Sequence, residues 1–364
     1  MDDAPFWDDE RLHLGRKMSY QNAPQDDPAG GGIKLLIRWA QGAPKIANFI
    51  RLKVQFLLKT EKLQGSPSVL VIETGAVCNL RCPLCPTGSQ TLRLSQDVLS
   101  LSAFQDIIRS CGSHLTKIML FNWGEPLLNP DLADMVRFAR ARGISVAIST
   151  NLNRLDYPTA CRLLDAGLSE MIVSISGATQ RTYERYHVGG SLVGVLRRLR
   201  WLARLKAQRR RSQPRIVWRF LIFKHNEHEA EKARLMAERL KIDFESNWPN
   251  VHNTSDPGSW RASQAPDGPR DRKKRYWPCR LLWEGAVIHS DGSVLPCCMV
   301  KDVRYSLGNI HRDDFHSIWN NAGYRAIRRH IAGEPAGGNE TLPCERCPHG
   351  PVAQTEALGR SISS

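Results

Sequence analysis

The sequence predicts an α/β protein: a partial (β/α)6 TIM-like barrel of parallel strands, with an N-terminal helical extension and a small C-terminal cysteine-rich module. Three observations carry this. Between Val69 and Asn247, six short apolar segments alternate with longer segments of helical periodicity. Ahead of them lies a stretch with apolar residues at helical spacing. Behind them, composition shifts to Pro, Gly, Ser, Asp and Arg before several cysteines gather near the C-terminus.

The elements follow in order. Residues 1–32 are polar, with Pro24, Pro28 and the run Gly30-Gly31-Gly32, and read as loosely packed or disordered. From Ile33 to Lys62, Leu36, Ile37, Ile46, Ile50, Val54, Leu57 and Leu58 recur at helical spacing, with Lys45, Arg51, Lys53 and Lys59 between them. Pro44 is expected to divide this segment into two helices. The segment either packs against the open bottom of the barrel, which is preferred, or makes peripheral contact with an anionic membrane through residues 33–62. Strands are expected at Val69–Thr74, Lys117–Phe121, Ile144–Thr150, Met171–Ser176, Ile216–Phe223 and Ile242–Asn247. Helices are expected at Ser102–Gly112, Pro130–Arg142, Pro158–Ala166, Leu192–Arg211 and Glu227–Leu240. Such alternation implies parallel strands joined by crossover helices. Six units suit an open barrel better than a closed eight-stranded one. Chemistry in parallel barrels sits at the C-terminal ends of the strands, so the loops after the strands are the ones to search. The expected division is 1–66 extension, 67–248 barrel domain, 249–278 linker or lid, 279–350 cysteine module and 351–364 tail.

The chain has 364 residues, 41% hydrophobic and 24% charged, as in ordinary soluble globular proteins. No run of about eighteen apolar residues marks a transmembrane helix. The acidic start Met1-Asp2-Asp3-Ala4 lacks the apolar core of a secretory signal. Ten cysteines, clustered rather than spread, read as metal ligands in a reducing cytoplasm. The net charge of +15 admits nucleic acid, an anionic membrane or an acidic substrate without choosing among them. Arg197, Arg198, Arg200, Arg204, Lys206, Arg209, Arg210 and Arg211 make one helix very basic. A solvated outer face explains it; nucleic-acid binding is not expected, because no aromatic platform or nucleic-acid module accompanies it.

The first strand leads into Glu73-Thr74-Gly75-Ala76-Val77-Cys78-Asn79-Leu80-Arg81-Cys82-Pro83-Leu84-Cys85-Pro86, with the spacing C-x3-C-x2-C. Three thiolates on one short loop can grip three irons of a cubane. The fourth iron stays open, as a catalytic metal site requires, and a small molecule with an amine and a carboxylate can fill it. A zinc knuckle lacking its fourth ligand is the plain alternative. The motif resembles the signature of the radical S-adenosylmethionine (SAM) superfamily. The resemblance implies a [4Fe-4S] cluster on Cys78, Cys82 and Cys85, SAM chelated to the open iron, and reductive cleavage to methionine and a 5′-deoxyadenosyl radical that abstracts hydrogen from substrate. Leu84 stands where the family usually has an aromatic residue.

After the second strand, Asn122-Trp123-Gly124-Glu125-Pro126 resembles the family's Gly-Gly-Glu-Pro loop, with Trp123 in place of the first glycine. This implies that Gly124, Glu125 and Pro126 accept hydrogen bonds from the SAM ammonium. Ser149-Thr150-Asn151 resembles the strand end that contacts the ribose, which implies roles for Ser149 and Asn151. Ser176 after the fourth strand is a further contact candidate. Relatives often carry an Arg near position 187 to pair with the SAM carboxylate. His187 stands there, reads as a surface residue, and leaves Arg185 as the substitute.

In the C-terminal module, Cys344-Glu345-Arg346-Cys347 offers two thiolates to one metal centre. Residues Ala286 to Val294 read as a β-hairpin turning at Asp291-Gly292, which brings Cys279 and Cys297 together. Alone, four such thiolates suit a zinc ribbon. The module resembles the SPASM/twitch extension of radical SAM enzymes, including Gly308-Asn309-Ile310 and Ile318-Trp319. The cysteines are too few for two auxiliary clusters, so the resemblance implies one auxiliary [4Fe-4S] cluster on Cys279, Cys297, Cys344 and Cys347, with Cys298 as alternate for Cys297. Cys111 and Cys161 read as buried apolar thiols on helices.

The expected activity is that of a radical SAM oxidoreductase. It would dehydrogenate a small molecule such as a sugar or aminocyclitol, with the auxiliary cluster taking an electron and a flavodoxin- or ferredoxin-type protein as electron donor. Peptide maturation and epimerisation are alternatives within the family. A zinc-stabilised RNA-binding protein is the alternative outside it.

Overall fold

The computed structural model describes residues 31–91, 97–249, 256–263, 265, 279–300, 302–334 and 343–344, with side chains from residue 42 onward. Cys347 and most of the 249–278 linker lie outside the described residues.

Val, Ile, Leu and Met fill most buried positions of the five strands between Val69 and Leu221, on both faces, as a parallel sheet between helices and a barrel interior demands, while the edge strand that follows, Asp243–Asn247, is polar and buries none of its residues. The strands are β1 (Val69–Ile72), β2 (Lys117–Met119), β3 (Ser145–Thr150), β4 (Glu170–Ser174), β5 (Arg215–Leu221) and β6 (Asp243–Asn247). Each pairs in parallel with the next, so spatial order follows chain order. The expected alternation is therefore present, with strand ends trimmed by a few residues.

The helices, in chain order, are α1 (Gly31–Leu57), α2 (Pro86–Ser89), α3 (Leu101–Ser110), α4 (Leu132–Ala141), α5 (Tyr157–Asp165), α6 (Gln180–Tyr186), α7 (Leu192–Gln208), α8 (Ala230–Arg239), α9 (Leu281–Glu284), α10 (Phe315–Trp319) and α11 (Ala322–Ala332). Side-chain oxygens start several of them: Ser100 for α3, Asp156 for α5, Thr179 for α6 and Ser191 for α7 each accept a first-turn backbone N–H.

One expectation needs correction. Pro44 does not divide the N-terminal segment: α1 carries it internally, at the expense of the hydrogen bond its missing N–H would make. The hairpin of the cysteine module joins the barrel sheet. Its strands β7 (Gly285–Ile288) and β8 (Val294–Leu295) extend that sheet, β7 parallel to β1 and β8 antiparallel to β7. Without β7, β1 would present an unpaired edge. Gly285 permits the approach, since a Cβ there would stand 2.8 Å from the Val69 carbonyl oxygen. The turn falls at Asp291-Gly292 as expected, with Gly292 at φ +84°.

The end of α1 packs against loops that precede β1, β3 and β7, as the bottom-packing expectation holds. Asn48 exchanges two hydrogen bonds with Ser66, Lys45 Nζ donates to the carbonyls of Arg142 and Gly143, and Lys53 pairs with Glu284. Leu52 is buried on this face, while Ile46, Phe49, Ile50, Val54, Leu57 and Leu58 on the other side are exposed. Among the described residues, no helix is long and apolar enough to cross a membrane. The basic face of α7 does carry an aromatic pair that the sequence reading did not find. Tyr157 and Trp201 lie 5.8 Å apart beside Arg197, Arg198 and Arg204, around a groove of about 740 Å³.

Candidate active site

The loop after β1 is held by backbone contacts that demand glycine. Gly75 has φ +150°. Gly124, on the loop after β2, lies so close that a Cβ would stand 1.7 Å from the Gly75 oxygen and 3.1 Å from that of Val77. Glu125 N donates to Val77 O at 2.8 Å, so the two loops form one backbone unit. On the other flank Gly88 of α2 presses on the loop, and a Cβ there would meet Cys82 N at 2.4 Å. Thr87 Oγ1 donates to the Trp123 carbonyl. Asn129 Nδ2 donates to the carbonyls of both Thr74 and Leu99.

Within this cradle Cys78, Cys82 and Cys85 are all half-buried, and Cys85 N donates to Cys82 O at 3.1 Å. Cys78 Sγ receives Leu80 N at 3.4 Å and Asn151 Nδ2 at 3.8 Å. Cys82 Sγ lies 3.9 Å from His187 Nδ1. Burial pushes the Cys78 thiol up to about 11 and the Cys82 thiol higher still, and the negative charge of the Cys85 thiolate adds to the rise at both. Such thiols ionise together only against a cationic centre, while N–H donors aimed at sulfur favour the thiolate. The donor set and its cradle thus fit a cluster bound through three sulfurs. Among the described residues, no three His, Cys, Asp or Glu side chains converge on one point as ligands of a single metal ion would. A cubane is gripped at separate corners and does not require that convergence.

The loop after β2 is anchored to the end of β3. Glu125 is fully buried; Oε1 accepts from Thr150 Oγ1 at 2.6 Å and Leu127 N at 3.1 Å, and Oε2 from Asn151 N at 2.8 Å. Burial raises its pKa to about 7, against the pull of those three donors. Asn151 links onward to Asn79 Oδ1 and to Asn153, whose Nδ2 donates to Tyr183 OH. Ser149 lies half-buried two residues before Asn151 on β3. Glu73, buried at the end of β1, accepts from Trp123 N and from Ser290 Oγ of the hairpin, while Asn122 contacts the buried His289 at 3.2 Å.

The structure gathers Gly124, Glu125, Pro126 and Asn151 around the cysteine loop. It does not gather Ser176 and Arg185 in the same way. Ser176 is fully buried; its hydroxyl accepts Leu221 N and its carbonyl accepts Asn226 Nδ2. Arg185 is exposed at the end of α6, because the helical period that turns Tyr183 inward turns Arg185 outward. His187, read as a surface residue, is instead buried, since it lies one turn after Tyr183 and stacks on that ring at 4.6 Å. Glu73, Thr150 and Tyr183 were not singled out by the sequence; only their nearness to the motifs signalled them.

In the cysteine module Cys279, Cys297, Cys298 and Cys344 are half-buried. Met299 N lies 3.3 Å from Cys297 Sγ. The neighbouring Cys298 thiol, with burial, raises the Cys297 pKa, and Cys297 in turn lowers that of Cys298. Cys298 also packs on Val71, Val287 and Leu295 and feels the charge of Cys279. Gly308 packs directly against Ile318, whose Cγ1 would lie 2.8 Å from a Cβ at that position.

Residues 72–236 match the family model for the radical SAM superfamily, and residues 279–348 that of the SPASM iron–sulfur cluster-binding domain. A Fe-coproporphyrin III synthase of Methanosarcina barkeri (strain Fusaro / DSM 804) is 30% identical over 122 residues, 34% of this chain and 30% of that protein. Mycofactocin maturase MftC of Mycobacterium ulcerans (strain Agy99) is 30% identical over 138 residues, 38% of this chain and 37% of that one. The chain thus spans about a third of the length of the curated relatives it matches. Streptococcus suis SuiB bound to S-adenosylmethionine shares the fold at a TM-score of 0.61 and 15% identity, over 89% of this chain and 88% of that one. AnSMEcpe with AdoMet and the Cp18Cys peptide shares it at 0.52 and 15%, over 77% and 86%. The two family models together cover more than half of the sequence, and the chain belongs to the radical SAM superfamily, with a SPASM domain at its C-terminal end.

Proposed function

We propose that the chain is a radical SAM oxidoreductase in which Cys78, Cys82 and Cys85 hold a [4Fe-4S] cluster with SAM on its open iron. The observation that carries this is the cysteine loop itself: three half-buried thiols, N–H groups directed at sulfur, and a neighbouring loop docked through Gly124. Bound there, cluster and SAM supply a 5′-deoxyadenosyl radical able to abstract hydrogen from an unactivated C–H bond.

The chain's own residues position and shield. Glu125, held by Thr150, Asn151 and Leu127, fixes the Gly124–Pro126 backbone whose acceptors face the SAM ammonium. Asn151 steadies the cysteine loop through Asn79 and Cys78, and with Ser149 reaches toward the ribose. Cys279, Cys297, Cys344 and Cys347 hold a second cluster; four thiolates leave no open iron, which suits electron transfer rather than substrate binding. The substrate is a small molecule that loses two hydrogens, and the electron donor is a flavodoxin- or ferredoxin-type protein. SuiB, which shares the fold, binds a precursor peptide, which keeps peptide modification as the second reading.

The test is anaerobic reconstitution with iron and sulfide, then dithionite and SAM. Formation of 5′-deoxyadenosine, abolished by Cys82→Ala, is the expected result. A colourless protein that retains stoichiometric zinc and leaves SAM intact refutes the assignment.

A further inference from the structure

We infer that His187 is a positioning residue for the cysteine loop, donating its Nδ1–H to the Cys82 thiolate and thereby raising the reduction potential of the cluster bound there. This rests on the proposed assignment of Cys78, Cys82 and Cys85. The geometry assigns the proton. Ser176 N lies 3.1 Å from His187 Nε2, and a backbone N–H can only donate, so Nε2 is the acceptor. A neutral imidazole with Nε2 accepting carries its hydrogen on Nδ1, the atom 3.9 Å from Cys82 Sγ.

The ring has little freedom to choose otherwise. It is 3% exposed, stacks on Tyr183 at 4.6 Å and meets Tyr186 edge-on at 5.0 Å. Ser176 is itself locked by Leu221 N and Asn226 Nδ2, so the atom that selects the tautomer cannot rotate away. Arg81 N donates to Val188 O at 3.0 Å, tying the turn after α6 to the cysteine loop beside this contact. A hydrogen bond to a ligating sulfur stabilises the more negative, reduced form of an iron–sulfur centre, and so raises its potential.

The experiment is a redox titration of the reconstituted full chain, followed by electron paramagnetic resonance. The signal that shifts when SAM is added identifies the three-cysteine cluster. His187→Phe keeps a stacking ring and removes the donor; His187→Asn restores an N–H near the Nδ1 position. At a fixed ambient potential, His187→Phe is expected to show about a tenfold lower ratio of reduced to oxidised cluster, equivalent to about 59 mV for one electron. His187→Asn is expected near the parental ratio. An unmoved ratio in His187→Phe at parental iron content overturns the inference, as do equal shifts in both variants. Where the Phe variant loses iron, the Asn variant decides: a parental ratio upholds the hydrogen bond, and a lowered ratio overturns it. A parent protein without any SAM-sensitive signal sinks the cysteine assignment instead, an outcome distinct from an unmoved ratio.

Discussion

Gly124→Ala is the most direct test of how the two site loops are joined. The added Cβ would stand 1.7 Å from Gly75 O, 2.9 Å from Gly75 C and 3.1 Å from Val77 O. All three are main-chain atoms, so no side-chain rotation relieves the clash. The loops must part by more than 1 Å, roughly the shortfall from an ordinary carbon–oxygen contact. Parting breaks the Glu125 N to Val77 O bond and drags the Glu125 carboxylate from its three donors. A neutral hydrogen bond contributes about 1 kcal/mol and one to a charged group about 2, so losing one of each comes to about 3 kcal/mol. That corresponds to about a hundredfold weaker SAM binding. Equilibrium dialysis of SAM against anaerobically reconstituted protein reads the affinity, and thermal unfolding reads the loop's contribution to stability. Gly42→Ala, where a Cβ meets nothing within 4 Å, is the control. A Gly124→Ala protein that binds SAM within threefold of the parent, with an unchanged Tm, refutes the joined-loop account.

Other outcomes follow from the same geometry. Because burial lifts the Glu125 pKa from 4.5 to about 7, the folded SAM-free protein binds an extra proton between those values, and stability falls as pH rises through that window. The parent minus Glu125→Gln difference in unfolding free energy should fall by about 3 kcal/mol from pH 4.5 to 7; a flat difference shows that the carboxyl titrates normally. Cys344→Ala should remove one cluster's worth of iron and leave 5′-deoxyadenosine formation intact, whereas Cys78→Ala should abolish it; equal loss of SAM cleavage in both contradicts separate roles. Leu52→Ala empties a fully buried contact between α1 and the barrel bottom and should destabilise the protein by about 2–5 kcal/mol in chemical denaturation. A change below 0.5 kcal/mol shows that the helix does not pack there.

The strands and crossover helices were legible because each depends on its own short stretch of chain. Val69–Ile72 is continuously apolar, and the expected helices carry apolar residues at three- and four-residue spacing. The cysteine motif was legible for the same reason: its three thiols lie within eight consecutive residues. Pro44 misled because its preference is weaker than the continuation of the helix around it. The α7 aromatic pair escaped notice because Tyr157 and Trp201 stand on different helices.

By itself, the amino-acid order determined which segments become strands and helices, where the thiols cluster and which turns need glycine. These are properties of neighbouring residues, set by backbone dihedrals and side-chain period. Only the tertiary structure decided that β7 seals the edge of β1, that Glu125 reaches the end of β3, and that His187 faces Cys82 across 105 residues of chain. Those pairings arise from close packing of remote segments, and no local pattern encodes the distance at which two side chains finally meet.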